Sequence, residues 1–407
     1  MIMRKYLLII FSLLSLNLSA ASVIRQAKDA LKKKQNLEQT AKNLLAEAVK
    51  EGTSHADRVE CYVLAAECSQ KLYEAQNLKL YLKQKYDTAA FYANILETFR
   101  RLELADSIES CPDEKGRVRL QNRRRSHDVL MPFRTNLLNG GKWYFLKDKM
   151  KEALPYFDTY AATASHPIFS RDSLQKTDSL VAQAAYLAVV AANAAQNSDG
   201  VIRNADLAKR AGRKNYLVQE YLARAFLAKG DSARWLTSLY DGLREHTGHG
   251  YFFSHLVDYY LDTQDTKRAL EIADSAISVA DTVPLFWYGR SLVLLKQGRD
   301  REAIDACDSC LLYAPDHVDA LYNKGIALLN LAVIYTEQAC TDLTNPQCRR
   351  DQEIIQSLYN LAKLPMERVM ALEPDKPQRW APPLYRIYLH LNMGKEFDEI
   401  DRILHSN

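Results

Sequence analysis

Hydrophobic and small residues recur along much of this chain at a fixed spacing of 34 positions. A stretch at 284–317 sets the frame, with Trp287 at position 4, Ala303 at position 20 and Pro315 at position 32. The same frame, moved by 34 without a gap, fits further units at 182–215, 216–249, 250–283 and from 318 onward. A period of this length is typical of repeated helix pairs, each packing on the next.

Two positions of the unit pair small residues with large ones, as two crossing helices require. Position 8 carries Val189, Ala223, Val257, Ser291 and Gly325. Position 11 carries Ala192, Phe226, Tyr260, Leu294 and Leu328. An earlier unit at 134–167 also fits the frame, with Gly141 at position 8 and Tyr144 at position 11. Trp235 departs from the small residue of position 20, and we expect its unit to splay or to shift register there.

With these residues at positions 4, 8, 20 and 32, the unit resembles a tetratricopeptide repeat. The recognisable array covers about 134–377, or about sixty per cent of the chain. The resemblance implies an all-α fold, a right-handed α-solenoid of helix-turn-helix repeats whose inner surface is lined by first-helix side chains. A charged final helix pair is expected to cap the apolar end of such an array.

The chain is expected to divide into four parts. These are a leader at 1–21, an N-terminal helical region with weak repeat-like units at 22–133, the repeat array at 134–377 and capping helices at 378–407. The array units lie near 134–167, 182–215, 216–249, 250–283, 284–317 and 318–377. One weak unit is placed at 56–89, and the last array unit carries an insertion at 331–365 that extends its hairpin.

The inner surface is the candidate binding site. Its first-helix positions carry Tyr186, Tyr251, Tyr288, Leu292, Tyr322 and Ile326. Such side chains bury area with little loss of rotamer freedom, so together they can hold an extended peptide or a helix. The alternative is that they pack between neighbouring repeats. The family members that clamp a terminal carboxylate use Lys and Asn, whereas Tyr288 and Leu292 stand at those positions here, so we expect no such clamp.

The first residues have the pattern of an export signal. A basic start precedes an apolar run at 6–18, and the small residues Ser19, Ala20 and Ala21 follow. We expect cleavage near Ala20 or Ala21 and a periplasmic or secreted protein. An uncleaved membrane anchor is the alternative, although the run is shorter than a membrane span requires. The cysteine of a lipoprotein signal is not present at this site.

Composition and charge narrow the classes of protein. With 14 Gly, 12 Pro and 47% hydrophobic residues, the chain favours long helices over disorder. Its net charge of +4 provides no general field for nucleic acid or anionic lipid. We therefore expect no nucleic-acid partner and no integral membrane span after the leader.

Two cysteine pairs deserve separate interpretations. Cys307 and Cys310 have the Cys-x-x-Cys spacing of thiol–disulfide enzymes. They fall at positions 24 and 27 of their unit, in the middle of a helix, so we expect packing or a structural bond there. Cys340 and Cys348 flank a short loop, and we expect them to form a disulfide in an oxidising compartment.

The remaining polar clusters do not match a catalytic motif. Glu245, His246, His249 and His255 lack the His-Glu-x-x-His spacing of zinc enzymes, so we expect no metal. The basic cluster from Arg117 to Arg125 is interpreted as a solvated linker or as a contact for an acidic protein. No phosphate loop or nucleophile elbow is present in the sequence, so we expect no cofactor and no enzymatic activity.

The sequence thus favours a non-enzymatic interaction scaffold of the bacterial cell envelope, with other envelope proteins as partners. Two alternatives remain open. A thiol–disulfide or redox-responsive protein would use Cys307 and Cys310. A glycan-binding helical-repeat protein would stack sugars on the tyrosines. The oligomeric state does not follow from the sequence.

Overall fold

The computed structural model describes residues 19–212, 215–340 and 345–405, and within these ranges every regular element is helical. The helices are α1 (Ala20–Lys33), α2 (Leu37–Ala48), α3 (His55–Tyr81), α4 (Thr88–Glu109), α5 (Arg123–Leu130), α6 (Arg134–Phe145), α7 (Met150–Ala162), α8 (Leu174–Thr177), α9 (Leu180–Ala194), α10 (Ser198–Ala208), α11 (Asn215–Ala228), α12 (Ser232–Glu245), α13 (Gly250–Asp262), α14 (Thr266–Val279), α15 (Pro284–Lys296), α16 (Asp300–Tyr313), α17 (Val318–Gln338), α18 (Pro346–Leu372), α19 (Pro377–His390) and α20 (Gly394–His405). The predicted all-α fold is confirmed.

Most of the predicted leader lies outside the described residues, since the structure begins at Ser19. Among the described residues, no helix has both the length and the apolar content needed to cross a membrane. The chain forms two compact units, which divide between Gly230 and Asp231. We call them the N-terminal unit and the C-terminal unit, and each is described by itself.

The helix register reproduces the period seen in the sequence. Second helices begin at Ser198, Ser232, Thr266 and Asp300, each 34 residues after the last. Two residues before each start, the backbone is left-handed, at Gln196, Gly230, Gln264 and Gly298. In three of the four turns, the side chain of Asn197, Asp231 or Asp265 accepts a hydrogen bond from the N–H three residues on. The predicted helix-turn-helix pairs with a 34-residue period are thus confirmed, and local turn chemistry repeats with them.

The predicted pairing of small and large residues is visible where helices cross. A Cβ atom at Gly141 would lie 2.6 Å from the ring of Phe157, and one at Gly325 would lie 2.5 Å from Met366 Cε. Ala303, at position 20, is fully buried. Trp235 is buried at the same position of its own unit, where its ring packs edge-on against Tyr259 with the centroids 5.5 Å apart. Small residues therefore let the paired helices approach closely.

Two segments differ in length from the 34-residue template. Helix α3 runs unbroken for 27 residues, so the weak repeat-like unit placed at 56–89 is wrong: α3 and α4 form one longer hairpin instead. In the C-terminal unit, α17 continues to Gln338 and α18 begins at Pro346, which lengthens this hairpin as expected from the insertion. Its loop at 341–344 lies outside the described residues. Helices α19 and α20 form the final pair.

Candidate partner-binding surface

First helices lie side by side in the C-terminal unit. Helix α13 contacts α15, α15 contacts α17, and α17 contacts α19. Five of the six predicted binding residues lie on three of these helices, at Tyr251, Tyr288, Leu292, Tyr322 and Ile326. The sixth, Tyr186, lies on α9 in the N-terminal unit. We call the five residues, together with Asp258, Asp319 and Arg379, the first-helix surface.

Tyr288 lies on α15, which contacts both α13 and α17. Its ring packs against His317 with the centroids 5.0 Å apart, and the side chain is half-buried. Burial raises the pKa of the phenol, and the negative charges of Asp319 and Asp258 act in the same direction. Arg379 acts on the phenol in the opposite direction. Charged groups on α13, α17 and α19 thus act electrostatically on one tyrosine of α15.

Arg379 closes the surface at the C-terminal end. Its guanidinium lies over the ring of Tyr322, 4.8 Å from the centroid. One nitrogen pairs with Asp319 on the same helix as Tyr322, and another donates to Glu373 at 3.0 Å. Since two carboxylates and an aromatic face hold the guanidinium, its position is fixed before a partner arrives.

Arg379 was not among the residues predicted from the sequence, although a signal for it existed. Trp380 is the fourth residue of α19, as Trp287 is the fourth residue of α15. Both indole nitrogens donate to an upstream backbone carbonyl, Trp287 to Asp281 O at 2.6 Å and Trp380 to Glu373 O at 2.8 Å. Helix α19 therefore begins like a first helix of the repeat, which places Arg379 beside the surface.

At its other end the surface carries an aromatic pair and a carboxylate on α13. The rings of Tyr251 and His255 are tilted by 34° with centroids 4.1 Å apart, and His255 Nδ1 lies 2.8 Å from Tyr251 O. Asp258, one turn further on, is exposed. Burial nevertheless raises the pKa of the Asp258 carboxyl, with Asp262 adding to the effect and His255 opposing it. This end therefore offers a ring and an acceptor to solvent.

The packing alternative applies to part of the predicted set. Tyr322 and Ile326 are half-buried and pack against a core cluster that includes Leu321 and Tyr359. Their remaining area faces outward. Tyr186 is also half-buried, and burial raises the pKa of its phenol. These tyrosines thus contact the core on one side and keep part of the ring exposed. Packing between repeats and binding of a partner are therefore compatible roles for them.

The Cys-x-x-Cys pair lies in the core. Cys307 and Cys310 on α16 are both free thiols with no exposed surface. Burial raises the pKa of the Cys307 thiol to about 12 and that of Cys310 to about 11. A thiolate nucleophile needs the opposite shift and access to its partner. The geometry therefore supports packing at these two positions.

The loop cysteines and the histidines occupy other places. Cys348 Sγ lies 2.9 Å from the carbonyl oxygen of Cys340, and the disulfide between them stays a prediction. His246 and His249 lie near the ring of Phe252, with centroids 6.4 and 5.4 Å away. Within the described ranges, no three His, Cys, Asp or Glu side chains are grouped closely enough to hold a metal ion.

The arginine cluster has structural partners in the N-terminal unit. Arg123 makes two hydrogen bonds, at 2.7 and 2.9 Å, to the buried carboxylate of Asp106, and Arg117 pairs with Asp113 at 3.3 Å. The same loop borders a cleft of about 900 Å³ against α1 and α3, whose lining mixes lysines and arginines with carboxylates. Arg123 therefore fastens α5 to α4, and the cleft shows no single charge preference.

Comparisons with known proteins give no close relative. No family model matches the sequence, and no curated protein matches it. Similar solved structures include the MamA RS-1 ArsTM double mutant, at 16% identity over 47% of this chain and 97% of that chain, with a TM-score of 0.33. The P58(IPK) TPR domain shows 14% identity over 92% and 99%, with a TM-score of 0.31. The yeast Tom70 shows 13% over 88% and 82%, also at 0.31. The fold assignment therefore rests on the helix register of this chain itself.

Proposed function

We propose that the protein is a non-enzymatic scaffold of the bacterial cell envelope, which binds a peptide or helix of a partner protein on the first-helix surface. The observation that carries the proposal is the row of first helices in contact with one another, with Arg379 over the ring of Tyr322 and paired with Asp319, and with Asp258, Asp319 and Arg379 all acting on the phenol of Tyr288. These groups come from four consecutive first helices. A surface of this kind runs across several repeats, as an extended ligand requires.

The chemistry of the surface suits peptide recognition. Half-buried tyrosines supply rigid contact area, because each has already lost most of its rotamer freedom in packing. Arg379 is held by Glu373 and Asp319, so it can present its remaining donors without reorganisation. The acceptors Asp258 and Asp319 would favour a partner segment that carries hydrogen-bond donors or basic residues.

The envelope location is supported by the leader pattern at 1–21 alone. In an exported protein with these repeats, the partners would be other envelope proteins. The thiol alternative receives little support, since the only Cys-x-x-Cys pair is buried with raised pKa values. The glycan alternative uses the same tyrosines, and the experiment below separates it by the nature of what is captured.

The test is crosslinked capture from the envelope of the bacterium that makes the protein. The wild type is compared with Tyr288→Ala/Tyr322→Ala, and Tyr313→Ala is the matched control because Tyr313 is exposed on the second helix α16. We expect the double variant to lose specific protein partners that the control retains. Equal recovery by all three would reject the first-helix surface as the binding site, and capture of glycan without protein would favour the alternative.

A further inference from the structure

Two turns of the N-terminal unit carry exposed apolar residues among lysines. The first comprises residues 78–88, at the end of α3 and the turn into α4. The second comprises residues 142–152, at the end of α6 and the start of α7. We call these two segments the lysine edge. Neither segment belongs to the first-helix surface.

The two segments of the lysine edge are neighbours in space. Trp143 and Tyr92 at the start of α4 have ring centroids 6.0 Å apart. Trp143 also lines a shallow cleft of about 550 Å³ together with residues 85–89. The backbone N–H of Asp87 donates to Gln76 Oε1 at 3.1 Å, which ties the first turn back to α3. The two segments therefore adjoin at Trp143 and the turn into α4.

Large apolar side chains protrude from this edge. Tyr81 is 83% exposed and Leu146 is 86% exposed. Leu78, Leu80 and Leu82 are exposed as well. Contiguous exposed apolar residues of this kind mark an interaction site.

The same edge carries an excess of positive charge. Its 22 residues include seven lysines, no arginine and three acidic residues, a net charge of +4 that equals the net charge of the whole chain. Among the described residues, none of these lysines forms an ion pair within 4.0 Å. The nearby carboxylate of Glu74 is paired with Lys71 at 2.9 Å, and Lys147 lies 3.7 Å from the centroid of the Trp143 ring.

We propose that the lysine edge binds the surface of a bilayer that contains anionic phospholipids. Leucine, tyrosine and tryptophan side chains on protruding turns reach the boundary between headgroups and acyl chains. Lysines without an ion pair on the same two segments supply charge that complements anionic headgroups. A protein partner that needed precise bidentate contacts would favour arginine, whereas the diffuse charge of a lipid surface is served by lysine.

This inference is independent of the proposed function, because it concerns other residues in the other unit. The near-neutral net charge of the rest of the chain does not exclude membrane contact, because the positive potential is local to the lysine edge. A scaffold held at the membrane surface in this way would keep its first-helix surface beside that membrane.

The experiment places an environment-sensitive fluorescent amino acid at position 82 of the full chain, and at position 312 as a control, since Leu312 is a similarly exposed leucine of the C-terminal unit. Each protein is mixed with vesicles of phosphatidylcholine alone or with an equal part of phosphatidylglycerol. We expect a blue shift at position 82 only, and only with phosphatidylglycerol. A local probe separates this edge from any binding by residues 1–21.

A charge variant provides the second arm. Lys83→Gln/Lys85→Gln/Lys149→Gln should weaken the binding measured at position 82 by at least about tenfold. The control Lys267→Gln/Lys296→Gln/Lys395→Gln removes three exposed lysines of the C-terminal unit and should leave it unchanged. The proposal is overturned if position 82 shows no shift, if both positions shift alike, if phosphatidylcholine alone is sufficient, or if the two lysine variants bind equally.

Discussion

The guanidinium of Arg379 lies over the ring of Tyr322, 4.8 Å from its centroid, although 56 residues separate the two along the chain. The contact joins the first helix of the last hairpin to the long helix α17. The positive charge of Arg379 also acts on Tyr288, where it opposes the rise in the pKa of the phenol. One contact therefore serves both the packing of the C-terminal unit and the shape of its candidate site.

Replacing this arginine by lysine tests both roles. Arg379→Lys keeps the charge but loses the flat cation over the ring and the fork that reaches Asp319 and Glu373. We expect a local loss of about 1 kcal/mol, since the pairs are partly exposed. Hydrogen exchange of peptides from α17 and α19 should become faster, and partner capture should fall.

The matched control for that substitution is Arg386→Lys, at an exposed position of the same helix. It should change neither hydrogen exchange nor partner capture. If both variants behave alike, the contact between Arg379 and Tyr322 contributes nothing specific, and Arg379 does not belong to the binding surface.

A close helix crossing gives a second prediction. A Cβ atom at Gly289 would lie 2.5 Å from Phe253 Cζ and 2.6 Å from its Cε1, and Phe253 is itself buried. Gly289→Ala should therefore destabilise the C-terminal unit by about 1–3 kcal/mol through overpacking. Alanine gains about 1 kcal/mol of helix propensity over glycine, which offsets part of this loss.

Urea unfolding measures that difference against Gly248→Ala. A Cβ atom at Gly248 would meet nothing within 4 Å, so the control should lie within about 0.5 kcal/mol of the wild type. Were Gly289→Ala as stable as the control, α13 and α15 would have to move apart more easily than their packing indicates.

The repeat was predictable because its determinants are local. A left-handed residue such as Gly298 and a capping residue such as Asp265 act within one turn, so a period of 34 fixes where second helices begin. The surface residues Tyr288 and Tyr322 were predictable for the same reason, since the frame alone places them on first helices.

Other features could not be predicted from the sequence, because they depend on contacts between distant segments. Arg379 reaches Asp319 across 60 residues, and no frame within one unit contains both. The lysine edge joins two segments whose charges are unremarkable one at a time and add up only when the fold brings them together. The length of α3 was also missed, because its continuity depends on packing against α4 rather than on a local signal.

A histidine in the N-terminal unit gives a pH-dependent prediction. His127 lies 3.1 Å from Asp128 and 3.0 Å from Asp172, and its ring packs near Phe169. The hydrogen bond with Asp128 chiefly raises the pKa of His127, and Asp172 adds to the effect while burial opposes it. A histidine with a raised pKa stabilises the fold below its unfolded pKa of about 6.5, and this contribution is lost as pH rises through the folded value.

Stability of the wild type relative to His127→Gln should therefore be larger at pH 5.5 to 6 than at pH 8, on the order of tenths to 1 kcal/mol. Thermal unfolding at both pH values measures it. The wild type and the variant are compared at each pH because burial lowers the pKa of His166 in the same unit. His166 therefore contributes to the pH dependence of stability with the opposite sign, and the comparison cancels this contribution. A difference that does not change with pH would show that His127 gains nothing from Asp128 and Asp172.

Thiol labelling decides between packing and redox chemistry at Cys307. With its pKa raised to about 12 by burial, this thiol has only about one thiolate in ten thousand at pH 8, and the helix gives a reagent no access to it. Cys111 is exposed and serves as the internal reference within the same sample. Peptide mass spectrometry should find Cys111 modified within minutes, while Cys307 and Cys310 react only after unfolding.

Fast modification of Cys307 in the folded protein would instead require a neighbour that stabilises the thiolate and an open path for the reagent. That result would favour the redox alternative over a scaffold whose cysteines fill the core.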